Sequence, residues 1–111
     1  MFGLNQTTSN KEVAFDVLKA NDKLIIRTKN SQYQFRVTDP VDRRGILSGG
    51  QLGNEAHEAV LLCVAPDNSE QLHNKSIKIN SKAIFFLLQT SLGVQRLHTS
   101  SITDVKLVSS H

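Results

Sequence analysis

The sequence predicts a small, mainly β domain, a bent antiparallel barrel or sandwich with a short N-terminal helix. Three features carry this. Hydrophobic alternation with a period of two begins at Lys23 and recurs to Val108. Turn-forming residues interrupt it frequently, as in small all-β folds. Only residues 9–20 read with a helical period, and 111 residues leave room for one core and no second domain.

Residues 1–8 are polar and read as a loose N-terminus, leaving residues 9–111 as the domain. Ser9-Asn10-Lys11-Glu12 fits a capping box, in which the Ser hydroxyl and the Glu carboxylate satisfy orphan amides reciprocally. Val13, Ala14, Val17 and Leu18 follow at helical spacing, and Asn21-Asp22 supplies a stop. Val13, Phe15 and Val17 also alternate, so a strand is the competing reading of the same residues.

Lys23–Thr28 and Gln32–Thr38 flank Lys29-Asn30, and Asn tolerates the positive φ of a tight hairpin turn. Counting outward from that loop pairs Ile26 with Tyr33 and Leu24 with Phe35 on one apolar face. Arg27 then faces Gln32, and Lys23 faces Arg36, on the other. Asp39-Pro40 ends the hairpin, because proline cannot donate to a ladder. Val41–Arg44 is a polar turn, Gly45–Ser48 a short strand, and Gly49-Gly50 a break. Strands are expected at 58–64, 76–80, 82–89, 94–99 and 102–108, with an exposed turn-rich stretch from Pro66 to Lys75. The helix is expected to cover one open end of the barrel.

Arg27-Thr28-Lys29-Asn30-Ser31-Gln32-Tyr33-Gln34-Phe35, then Val37, Asp39-Pro40, Leu47-Ser48-Gly49-Gly50 and the closing Thr99-Ser100-Ser101-Ile102 together resemble a group of small uncharacterised bacterial β domains, a domain of unknown function. The likeness runs from Lys23 onward over about two thirds of the chain. It implies a small β domain and carries no activity, ligand or site residue.

The composition limits function. No apolar run approaches the roughly 20 residues that cross a bilayer, and the first residues lack a signal's basic and apolar regions. Cys63 is alone, so no intrachain disulfide forms, and a cytoplasmic setting is expected. The metal-ligand candidates His57, Cys63, His73, His98 and His111 have no ligand spacing, so no metal and no cofactor is expected. Serines fall in turns without a nucleophile elbow, and the glycines lack the phosphate-loop patterns, so no catalytic residue is assigned and no enzyme is expected.

Two surfaces are singled out. Arg27 and Arg36 on the hairpin's outward face, with Arg43 and Arg44 in the next turn, form a candidate anion or nucleic-acid site; the net charge of +3 allows it. Ala83–Leu88 is apolar on both faces, and Phe85 and Phe86 point to opposite sides of their strand. One of them needs cover from the N-terminal helix or from a second copy of the chain. The leading expectation is therefore a non-catalytic binding or assembly module that forms a homo-oligomer. A nucleic-acid-binding small barrel is the alternative.

Overall fold

The computed structural model describes residues 6–67 and 71–109. They form β1 (Gln6–Asn10), β2 (Glu12–Ala14), β3 (Lys23–Thr28), β4 (Gln32–Asp39), β5 (Arg44–Gly49), β6 (Ala56–Pro66), β7 (Ser76–Lys78), β8 (Ser81–Thr90), β9 (Gly93–His98) and β10 (Ile102–Ser109). One antiparallel sheet has the order β1-β10-β3-β4-β5-β6-β8-β9, and a separate ribbon joins β2 to β7.

The central hairpin has the register that alternation dictates: Ile26 opposite Tyr33, Leu24 opposite Phe35, Lys23 opposite Arg36 and Arg27 opposite Gln32. Leu24, Ile26, Tyr33, Phe35 and Val37 are buried on the inner face. The turn is made differently from the sequence reading. Asn30 is not among the residues with positive φ. Instead the Thr28 hydroxyl accepts hydrogen bonds from the Asn30 and Ser31 amides at 3.3 and 3.1 Å, and the Thr28 amide donates to the Ser31 carbonyl at 2.8 Å. A threonine hydroxyl thus does what a left-handed residue would otherwise do.

Two glycines are required by close approach. A Cβ on Gly45 would lie 2.2 Å from the Arg36 carbonyl oxygen. Gly50, at φ +50°, would drive a Cβ to 2.1 Å from the Tyr33 ring, whose hydroxyl accepts from the Gln51 amide at 3.3 Å. The double glycine therefore seats its turn on a buried tyrosine.

Chain connectivity forces the sheet to roll. Only Thr99–Ser101 link β9 to β10, yet six strand steps separate these strands in the sheet. A flat sheet would set them about 29 Å apart, whereas that link reaches about 14 Å. The roll does not close into the expected barrel, because no ladder joins β1 to β9 among the described residues. The β2–β7 ribbon lies in its mouth, against β10 on one side and β6 and β8 on the other. Polar groups fasten this junction: Thr99 Oγ1 accepts from the Ala83 amide at 2.9 Å, and Ser100 Oγ donates to Thr28 Oγ1 at 3.0 Å.

The expected N-terminal helix is not present. Gln6–Asn10, including residues 6–8 of the stretch read as loose, pairs with β10; residues 1–5 lie outside the described residues. Glu12–Ala14 pairs with β7, and a single 3-10 turn follows at Phe15–Val17. The capping-box glutamate, Glu12, accepts a hydrogen bond from the Ser76 hydroxyl instead, and the Phe15 amide donates to the Lys75 carbonyl at 2.8 Å. A three-turn helix is marginal in isolation, so partners some 60 residues away in the chain decide the conformation. Val13, Phe15 and Leu18 are buried with Ile77 against the inner face of the sheet, while Val17 is half exposed.

Candidate binding surfaces

The outer face of the sheet collects residues that are scattered in the sequence. On β8, Ala83, Phe85 and Leu87 point inward; Phe85 is fully buried, with its ring centroid 5.3 Å from that of Phe35. Ile84, Phe86 and Leu88 therefore face outward. Ile84 is still buried, beside its cross-strand neighbours Cys63 and His98. Phe86 is half-buried, opposite Val60 of β6 and Arg96 of β9, with the Arg96 guanidinium 5.5 Å from its ring centroid. The β2–β7 ribbon covers the inner side, so the outward phenylalanine is Phe86, on the face opposite that ribbon. Val94, 62% exposed, and Leu92, 80% exposed, continue the apolar surface at the β9 edge. β9 has no partner on its other side among the described residues.

The four arginines singled out from the sequence separate. Arg27 is exposed on the outer face, donates to the Gln32 side chain at 3.3 Å, and stands opposite Asp104 in the ladder. Arg36 lies beside Lys23 as the hairpin register requires. Arg44 forms an ion pair with Glu58 at 2.9 Å.

Arg43 leaves the face. Its backbone is left-handed, at φ 54°. Its guanidinium donates to the Leu61 carbonyl at 2.8 Å and to the Leu62 carbonyl at 3.3 Å, and lies 4.9 Å from the Phe15 ring centroid. The Leu61 amide donates in return to the Arg43 carbonyl at 2.9 Å, so Arg43 ties its turn to β6 at the point where β6 slips register against β8. It forms one wall of an open groove of about 730 Å³ shared with Phe15, Val41 and Lys75.

Lys106, which was not singled out, joins the basic surface. It pairs across from Ile25 and stands one diagonal step from Lys23. The alternation of β10 places it outward, but only the non-local β10–β3 pairing places it beside the hairpin.

Among the described residues, no three His, Cys, Asp or Glu side chains are grouped as metal ligands, and no helix is long and apolar enough to cross a membrane. His111 lies outside the described residues. Burial pushes the Cys63 thiol pKa up from its ordinary value, against the opposing pull of Arg96 and Arg43. No protein family, curated protein or solved structure matches the chain, so the hairpin and double-glycine resemblance gains no support from these comparisons.

Proposed function

We propose that the chain is a non-catalytic assembly module that self-associates through the outer face over β6, β8 and β9. One observation carries this reading. Phe86 turns outward among Val60, Leu88 and Val94, beside a strand edge whose far side is open among the described residues. Apolar groups grouped on an exposed face lower their free energy by leaving water, at about 25 cal/mol per Å² before association costs. An unpaired edge adds backbone donors and acceptors that a second chain can use. A cytoplasmic setting, in which a lone thiol stays reduced, fits the reading.

Light scattering on the intact chain at about 100 µM tests it. The intact chain is expected above monomer mass, and Phe86→Asp is expected to stay folded with its mass lowered to that of a monomer. Phe85→Asp, at a fully buried position, is expected to unfold. A monomeric intact chain at that concentration overturns the proposal.

A further inference from the structure

We propose that the outer face also binds the sugar–phosphate backbone of an extended single-stranded nucleic acid. The site is a diagonal row of cations crossing four adjacent strands: Lys106 on β10, Lys23 on β3, Arg36 on β4 and Arg44 on β5.

The ladder registers define the row. Lys106 stands opposite Ile25, two residues from Lys23. Lys23 stands directly opposite Arg36. Arg36 stands opposite Ile46, two residues from Arg44. Direct neighbours are about 5 Å apart and diagonal ones about 7–8 Å, so the four charges span roughly 20 Å.

The centre of the row is the Lys23–Arg36 pair, a like-charge contact that costs stability in the free protein. The ladder neighbours of that pair are Val108 and Ile46, and the residues two along are Ile25, Gln34 and Thr38; none is acidic. Carboxylates stand only toward the ends. Glu58 is bound to Arg44, Asp39 is opposite Arg44, and Asp104 precedes Lys106 by two residues. An anion seated at the centre removes the repulsion and meets no opposing charge.

Shape selects among polyanions. The row crosses the convex side of a rolled sheet. A flexible strand can follow it, whereas a duplex, stiff over about 50 nm, or a flat bilayer meets only part of it. Tyr33 and Phe35 are buried on the inner face, so the hairpin offers bases no aromatic stacking platform, and the row acts through charge on the phosphates. Binding is therefore sequence-independent and strongly salt-dependent.

The test is fluorescence anisotropy with a labelled 20-nucleotide oligo-dT and the full chain, at 50 and 200 mM salt. Four phosphate contacts on a single strand give a log–log salt slope of about −3, which is about a fifty-fold loss of affinity between those concentrations. Lys23→Gln with Arg36→Gln is expected to halve the slope, leaving about a seven-fold loss. Arg27→Gln, off the row, is expected to leave the slope unchanged.

No binding at 50 mM salt overturns the proposal, as does a double-variant slope equal to that of the intact chain. Removing a like-charge pair should leave the melting temperature unchanged or higher; a lower one assigns the pair to the fold and overturns the proposal. Tighter binding to phosphatidylserine vesicles or to polyglutamate than to oligo-dT overturns the choice of nucleic acid. The neutral Phe86→Asn variant leaves the charges of the row intact, so oligo-dT binding by that variant separates this proposal from self-association.

Discussion

Replacing Phe35 by Ala removes the ring at the centre of the core. Phe35 is fully buried, faces Leu24 and Leu47 across its two ladders, and packs on Phe85 at 5.3 Å with planes inclined at 59°. Loss of a buried aromatic costs about 3–5 kcal/mol, and the tilted ring pair accounts for about 0.5–1.5 kcal/mol beyond area burial. We take about 4 kcal/mol, a large share of the roughly 5–15 kcal/mol that stabilises a natural domain. At about 4–8 °C per kcal/mol for a domain near this size, the melting temperature should fall by roughly 20 °C. Urea unfolding followed by circular dichroism measures the loss through the midpoint, and an unchanged slope shows that the same surface is still exposed on unfolding. Phe86→Ala is the internal comparison: its half-buried ring should cost about 1 kcal/mol. A loss below about 1 kcal/mol for Phe35→Ala would refute the placement of the core, and equal losses at Phe35 and Phe86 would refute the assignment of faces on β8.

Further consequences follow from individual contacts. Gly45→Ala places a methyl group 2.2 Å from the Arg36 carbonyl oxygen and should cost about 3 kcal/mol, the upper end for overpacking; an unaltered thermal melt would contradict that contact. Arg43→Gln gives up both carbonyl contacts and the Phe15 stack; it should destabilise by about 2–3 kcal/mol, while Arg44→Gln, which loses a half-exposed ion pair, should cost under about 1 kcal/mol. The same melts check both, and equal effects would count against Arg43 as a fastening residue. With its thiol pKa raised by burial, Cys63 should react with iodoacetamide at pH 8 more slowly than free cysteine, because the thiolate is the nucleophile. The native state holds that proton more tightly than the unfolded chain, so Cys63 favours folding below the ordinary thiol pKa, and this contribution is lost as pH rises through the raised value. Alkylation as fast as that of free cysteine would remove the burial argument.

What could be read in the sequence follows the distance over which each decision is made. The β3–β4 register was legible because alternation and a two-residue loop act within some sixteen residues, and both select the same pairing. The means of turning was misread: Asn30 was the visible signal, while the Thr28 hydroxyl holds the loop. Residues 9–20 carried a plausible helix pattern, but Glu12 and Phe15 find their partners at Ser76 and Lys75, and nothing nearby in the chain announces them. The run Ala83–Leu88 signalled two apolar faces correctly. It could not show that residues 12–18 would enter the roll on the Phe85 side and leave Phe86 half-buried on the outer face. Arg43 and Lys106 show the same limit on the basic surface, one drawn inward by β6 carbonyls and the other brought in by a strand that closes the chain.

A single topological step accounts for both proposed surfaces. After β9 the chain returns through Thr99–Ser101 and inserts β10 between β1 and β3. The short return rolls the sheet, which buries the inner alternate residues and gathers the outer ones on a convex face. Inserting β10 beside β3 brings Lys106 to Lys23 and Arg36, which lie 83 and 70 positions away in the chain, and completes the row. Because that return uses β10 rather than a partner for β9, the β9 edge stays open among the described residues, next to Phe86 and Val94. Both surfaces therefore depend on the polar fastening of the return, in which Thr99 holds the Ala83 amide and Ser100 holds Thr28. Lost binding and lost assembly are evidence about Lys23, Arg36 or Phe86 only in variants whose melts show that the roll is intact.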